Sequence, residues 1–188
     1  MSDRSVLDAL SEGNARFMTG DVRPTAPLMN PDGELPAHRP VAVVVACSDA
    51  RVPVERVFDQ AAGALFVVRV AGQVLEPAGL ASVHFAVAGL GARVVVVLGH
   101  EACGAVQAAL TPGRHEALAA LVDPIRHRIA SVETVGAPSE DKAIRDNVLA
   151  TVRELGVFLE HYSGVAAGDI VVVGAVHMLR TGKVEWLD

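Results

Sequence analysis

The sequence predicts an α/β fold: a mostly parallel sheet of four to five strands, flanked by helices and preceded by an N-terminal helical arm. Three observations carry this. Residues 41–46 (VAVVVA) and 93–99 (RVVVVLG) are apolar runs without polar alternation, which suits strands covered on both faces, as in parallel sheets. Segments with helical spacing fall between such runs, and this βαβαβ rhythm demands parallel strands joined by right-handed crossovers. Each of the two runs also ends abruptly in reactive side chains, CSDAR at 47–51 and HEAC at 100–103. Open α/β sheets bind ligands beyond the carboxyl ends of their strands, so these residues stand where such a fold places a site.

Taken in order, Ser5 can cap a first helix with Asp8 three positions on. Leu7, Leu10, Asn14 and Phe17 line one side before Gly20 stops it. Pro24, Pro27, Pro31, Pro36 and Pro40 then favour an extended arm, so residues 1–37 read as helix plus arm and 38–188 as one α/β domain. The narrow apolar stripe of that helix, on a proline-stiffened arm, suggests burial against another subunit, with folding back on its own domain as the alternative that the sequence leaves open. Pro53 opens a short helix through Phe58, and 64–70 is a second strand. Pro77 starts a helix through Leu90, with Leu80, Val83, Val87 and Leu90 spaced by three and four. After the strand from Arg93, a helix begins near Cys103 and ends at Thr111. Residues 115–162 are helical in pattern, interrupted by Pro124 and by 136–138, with Ser139 as N-cap of the last long helix. Residues 169–176 form one more strand, and a turn at 181–183 leads into a closing strand at 184–187.

The chain has 188 residues, 51% of them hydrophobic, which suits one sizeable core. A net charge of -6 without a basic cluster argues against nucleic acid as a partner. The apolar runs are too short to span a bilayer, and the N-terminus lacks the basic-then-apolar pattern of a secretory signal, so a soluble cytoplasmic protein is expected. With only two cysteines and no sign of export, metal binding or redox chemistry is expected over a structural disulfide.

Zinc favours four tetrahedral ligands drawn from thiolate, imidazole and carboxylate, and a catalytic site keeps one position open. Cys47, His100 and Cys103 supply three. The fourth decides the outcome: water makes a reactive centre, and Asp49 makes a closed one. Arg51 is the arbiter, because a two-pronged pair with Asp49 would hold that carboxylate off the metal. Singly, each residue has a plainer reading: a packed cysteine, a hydrogen-bonded histidine, a surface ion pair. Core packing gives no reason, however, for all five to gather at two strand ends. A closed, non-catalytic zinc module and a reversible Cys47–Cys103 redox switch are the rivals from other classes.

CSDAR followed by GHEACGAV resembles the zinc-binding signature of the β-class carbonic anhydrases, CxDxR and then HxxC, and the likeness runs over roughly residues 38–187. It implies zinc on Cys47, His100 and Cys103, with Asp49 and Arg51 as a catalytic dyad. It also implies reversible hydration of carbon dioxide to bicarbonate and a proton by zinc-hydroxide attack, in a homodimer or larger even-numbered assembly. Phe66 and Arg69 match the family's substrate pocket, to which His38 and Phe85 also correspond. Here His38 replaces the usual Gln, Val70 the Asn after the FVVR arginine, His84-Phe85 a Glu-Tyr, and His177-Met178 a Tyr-Asp. His38 and His84 are the shuttle candidates by chemistry. Members with a bicarbonate-closed site carry a Trp at the place of Val44 and a Tyr at that of Phe85, so an open zinc position is expected. Carbonyl sulfide and carbon disulfide, open to the same attack, are the alternative substrates. Two thiolates give zinc more electron density than three imidazoles, so activity is expected to climb on the alkaline side of neutrality.

Overall fold

The uninterrupted apolar runs become β1 (Ala42–Ala46) and β3 (Val94–His100), and every residue of both is buried. They are joined by β2 (Leu65–Arg69), β4 (Val171–His177) and β5 (Val184–Leu187) in a sheet ordered β2-β1-β3-β4-β5. The first four strands are mutually parallel, and β5 turns back antiparallel on β4. This is a computed structural model, and it describes residues 2–23, 38–113, 116–132, 138–166 and 168–187. The expected proline-rich arm lies largely outside the described residues, as do residues 136 and 137 of the expected helix interruption.

The chain leaves β1 for β2 on one side and then crosses back to β3 on the other. The strand order therefore reverses between β1 and β3, and the crevice beyond their carboxyl ends is the place such a sheet offers a ligand.

Strand alternation sorts the valines. Val43, Val45, Val95 and Val97 pack under α3 (Pro77–His84), α4 (Gly104–Leu110), α5 (Ala119–Ala130) and α6 (Glu140–Tyr162). Ala42, Val44, Ala46, Val94, Val96 and Leu98 face the other way, onto α1 (Asp3–Thr19), α2 (Val54–Val57) and Phe58. Helix α6 comes unusually close to the sheet. A Cβ on Gly99 would lie 2.5 Å from Val148 Cγ2, and one on Gly174 would lie 2.9 Å from Val148 Cγ1. Val148 thus sits in a notch made by glycines on neighbouring strands. No helix among the described residues is long and apolar enough to cross a membrane.

Three expectations shift. The N-cap of α1 is Ser2, whose hydroxyl accepts from Ser5 N at 3.3 Å; Asp3 then falls in the first turn, where the helix dipole favours an acid. The helix from Pro77 does not continue regularly to Leu90: its last turn widens over Phe85–Gly89, and Leu90 N donates to the Phe85 carbonyl five residues back. Pro124 lies inside α5 and does not interrupt it. The lost bond falls to the carbonyl of Ala120 in the first turn, and burial of Val122, Ile125 and Ile129 holds the helix regardless.

Helix α1 lies on its own chain's sheet, the second of the two arrangements open from sequence. Val6 and Leu10 enter the core, and Asn14, 4% exposed, is the pin. Its Nδ2 donates to the carbonyls of Val57 (3.1 Å) and Gly182 (2.8 Å), and its Oδ1 accepts from Val184 N (2.8 Å). Asn14→Leu leaves all three groups, two of them buried, without their partner and is expected to cost about 3 kcal/mol. Urea unfolding checks this, and a loss below about 1 kcal/mol would show that the helix is not pinned there.

Candidate metal centre

β1 ends at Ala46 and delivers Cys47; β3 ends at His100, and a short turn brings Cys103 to the N-terminus of α4. Because the two strands are neighbours in parallel, the three side chains meet. Their ligand atoms all lie within 4.8 Å of one another, and all three residues are buried. Both thiols are free.

The hydrogen bonds show what this group is suited to hold. His100 Nδ1 lies 2.9 Å from the Glu101 carbonyl, which assigns its proton to that nitrogen and leaves Nε2 as a lone pair. Nε2 is buried without a hydrogen-bond partner among the described residues. An orphaned imidazole nitrogen beside two sulfurs is the donor set of a tetrahedral metal such as zinc, with a fourth position to spare. The thiols already behave as a pair. The neighbouring Cys103 draws the Cys47 thiol down against the cost of its burial, and His100 and the Gly72 N–H add to the effect. Cys103 is pushed well up by the adjacent Cys47 and by its own burial. Burial opposes charge on His100, but the adjacent Cys47 outweighs it and raises the ring's pKa. A bound cation would displace the remaining protons.

Asp49 lies at the rim of this group, its Oδ2 3.9 Å from His100 Nε2. Arg51 takes both of its oxygens: Nε donates to Oδ1 at 2.9 Å, Nη2 to Oδ2 at 2.7 Å, and Arg51 N to Oδ1 at 2.9 Å. The guanidinium bond holds Asp49 well below the usual carboxylate range. Arg51 Nη2 also donates to the carbonyl of Ala102, a residue with a left-handed φ of 53° between His100 and Cys103. One arginine therefore ties the two strand-end loops together.

The pocket residues expected from sequence divide. His38 stacks on Phe66 with ring centroids 6.1 Å apart, and Phe66 lies 6.4 Å from Phe85. Phe66 precedes Arg69 by three residues on β2, about 10 Å of strand, so within one chain these rings form a row of their own. Arg69 supports the loop: Nε donates to the Cys47 carbonyl (3.0 Å) and Nη2 to the Asp49 carbonyl (2.6 Å). Arg69→Met is expected to lower activity about tenfold, as the loss of an outer-sphere partner does, with little change in thermal stability. Paired activity and melting measurements check this, and equal losses in both would make the role purely structural. Sequence reading missed Gly72, whose N–H meets Cys47 Sγ at 3.3 Å, and Asn147, which holds Gly72. A glycine shortly after a strand was the one available signal. His177, paired with His100 across β3 and β4, is buried, and both ring nitrogens lack a hydrogen-bond partner among the described residues.

A family model described as carbonic anhydrase matches residues 42–184, a span that holds both strand-end motifs. The chain belongs to the β-class carbonic anhydrases. It is 36% identical over 184 residues to a carbonic anhydrase of Mycolicibacterium smegmatis, covering 94% of this chain and 89% of that one. Members of the family are carbonate dehydratases. Two solved β-carbonic anhydrases share the fold. The Coccomyxa enzyme in complex with acetazolamide has a TM-score of 0.69 at 21% identity, over 98% of this chain and 82% of that one. One of the tetrameric enzymes from Sordaria macrospora has a TM-score of 0.64 at 20% identity, over 98% and 92%.

Proposed function

We propose that this carbonic anhydrase catalyses the reversible hydration of carbon dioxide to bicarbonate and a proton at zinc held by Cys47, His100 and Cys103. The observation that carries the reading is the buried trio of two free sulfurs and one orphaned imidazole nitrogen at the switch point of the sheet. Bound there, zinc supplies the charge that makes water a nucleophile near neutral pH. The chain's own residues do the rest. Asp49 is the acceptor that orients the attacking group through a hydrogen bond at Oδ2. Arg51 keeps that carboxylate ionised and off the ligand set, which leaves the fourth position to the reaction. The side chain of Arg51 is 56% exposed, so it also presents a cation at the mouth, where an anionic product must leave. Arg69 fixes the carbonyls on either side of Ser48, holding Cys47 and Asp49 in register.

The reading extends to a homodimer or larger even-numbered assembly in the cytoplasm. The Phe85 ring, 53% exposed beside Phe66, supports a neighbouring chain on that face. Two free thiols suit a reducing compartment.

Metal analysis of the purified protein joined to stopped-flow carbon dioxide hydration tests the proposal. The expected result is one zinc per chain and an activity that is lost on chelation and restored by zinc. Metal-loaded protein that turns over carbonyl sulfide and leaves carbon dioxide untouched would replace the substrate. Protein that takes up no zinc would overturn the reading.

A further inference from the structure

We propose that Asn147 is a positioning residue for the metal site, holding Gly72 so that its backbone N–H donates to the Cys47 sulfur. The two bonds are in series. Asn147 Nδ2 donates to the Gly72 carbonyl at 3.1 Å, and Gly72 N lies 3.3 Å from Cys47 Sγ, both in buried surroundings. Asn147 is 0% exposed, and among the described residues its Oδ1 has no partner and the bond to Gly72 is the one hydrogen bond this side chain makes. A leucine of similar volume could fill the same space, so packing alone does not explain an amide there.

Gly72 needs such a hold. It lies in the turn Ala71–Gln73 after β2, with φ +63°, followed by Gln73 at φ +46°. Gln73 N donates to the Val70 carbonyl at 2.9 Å and closes the turn, whereas the Gly72 N–H, at a residue with non-helical φ and ψ, is aimed at the Cys47 sulfur instead of a backbone carbonyl. The site is also closed to any larger residue: a Cβ on Gly72 would come 2.6 Å from Ile125 Cδ1 and 2.9 Å from Ala105 Cβ. Cys103 differs. It is the N-cap residue of α4, so a regular helix fixes where it sits. Cys47 takes a donor from an irregular turn, and α6 reaches across to steady that turn.

The consequence is electronic as well as geometric. A thiolate that accepts an N–H bond gives less charge to its metal, so the Asn147–Gly72–Cys47 chain offsets part of the electron density that a second sulfur adds to the site. Removing it leaves the ligand set intact and changes how strongly, and with what acidity, the metal is held.

The inference rests on the metal reading above, and its test separates the two. The full-length protein is loaded with spin-active cadmium, and scalar coupling from the metal to amide protons across N–H···S bonds is read by NMR. Wild type is expected to show coupling to the Gly72 N–H. In Asn147→Leu and Asn147→Ala that coupling disappears while couplings through Cys103 persist, and zinc affinity by chelator competition drops on the order of 10–100-fold. Val148→Ala, which loosens packing on the same helix turn and leaves the amide alone, keeps both the coupling and the affinity even where it lowers stability. Wild type that does not bind cadmium through Cys47 overturns the metal reading itself. Bound cadmium without coupling to Gly72 in wild type overturns this inference, and needs no variant to fold. So does a coupling unchanged in the Asn147 variants or lost equally in Val148→Ala.

Discussion

Cys103→Ser is expected to strip the protein of its metal and abolish carbon dioxide hydration. A serine hydroxyl keeps its proton at neutral pH, so the trio loses one of its two anionic ligands. The effect should therefore exceed the roughly 10–100-fold cost of removing an outer-sphere partner. Cys103 is 1% exposed and differs from serine by one atom, so the fold is expected to survive, with unchanged far-ultraviolet circular dichroism. Metal content and stopped-flow hydration check this together, and full zinc occupancy in the variant would remove Cys103 from the ligand set.

The second large effect belongs to Asp49 and Arg51. Asp49→Asn keeps the shape, loses the charge and replaces one of the two acceptor oxygens with an NH2 donor. It is expected to retain zinc while activity falls on the order of a hundredfold to ten-thousandfold, the range for a positioned proton-handling group. The pH dependence separates this role from that of the metal. Arg51 depresses the pKa of Asp49, so the stability this carboxylate contributes is present above the ordinary carboxylate pKa and is lost as pH falls through the depressed folded value. At neutral and alkaline pH its charge does not change. An activity that rises on the alkaline side is therefore set at the metal centre, and the residual activity of Asp49→Asn should rise over the same interval. A profile flat through mildly alkaline pH in wild type would end the ionisation argument. Arg51→Met frees both Asp49 oxygens and is expected to bring the carboxylate onto the metal, visible as an added oxygen in X-ray absorption. An unchanged ligand count with full activity would show that the guanidinium does not hold Asp49 away.

The parts of the site that lie at strand ends were legible because spacing and position agree. Cys47 and His100 each follow an apolar run, and the HxxC step at a helix start turns Cys103 to the same end. Asp49 and Arg51 could be read as a pair for the same reason, lying two residues apart in one loop. Other features had no such local signature. Arg69 sits in a strand whose sequence matches a pocket, and its guanidinium instead reaches back to two carbonyls of the neighbouring strand's loop. Pro124 reads as a break by local rules, and burial of the apolar face of α5 overrides them.

Local sequence therefore determined the elements and the donor set. Hydrophobic period, turn residues and reactive side chains act over a few positions, and they sufficed for the parallel sheet and for Cys47, His100 and Cys103. Tertiary structure decided what a continuous apolar run cannot encode: which face each valine serves, and on which surface α1 lies. It also decided how Cys47 is held. Gly72 is 25 residues from that sulfur, and Asn147 is 75 residues further along the chain. Hydrogen bonds across such separations depend on how the sheet and α6 pack, and glycines 99 and 174 let them pack closely enough for the amide to reach.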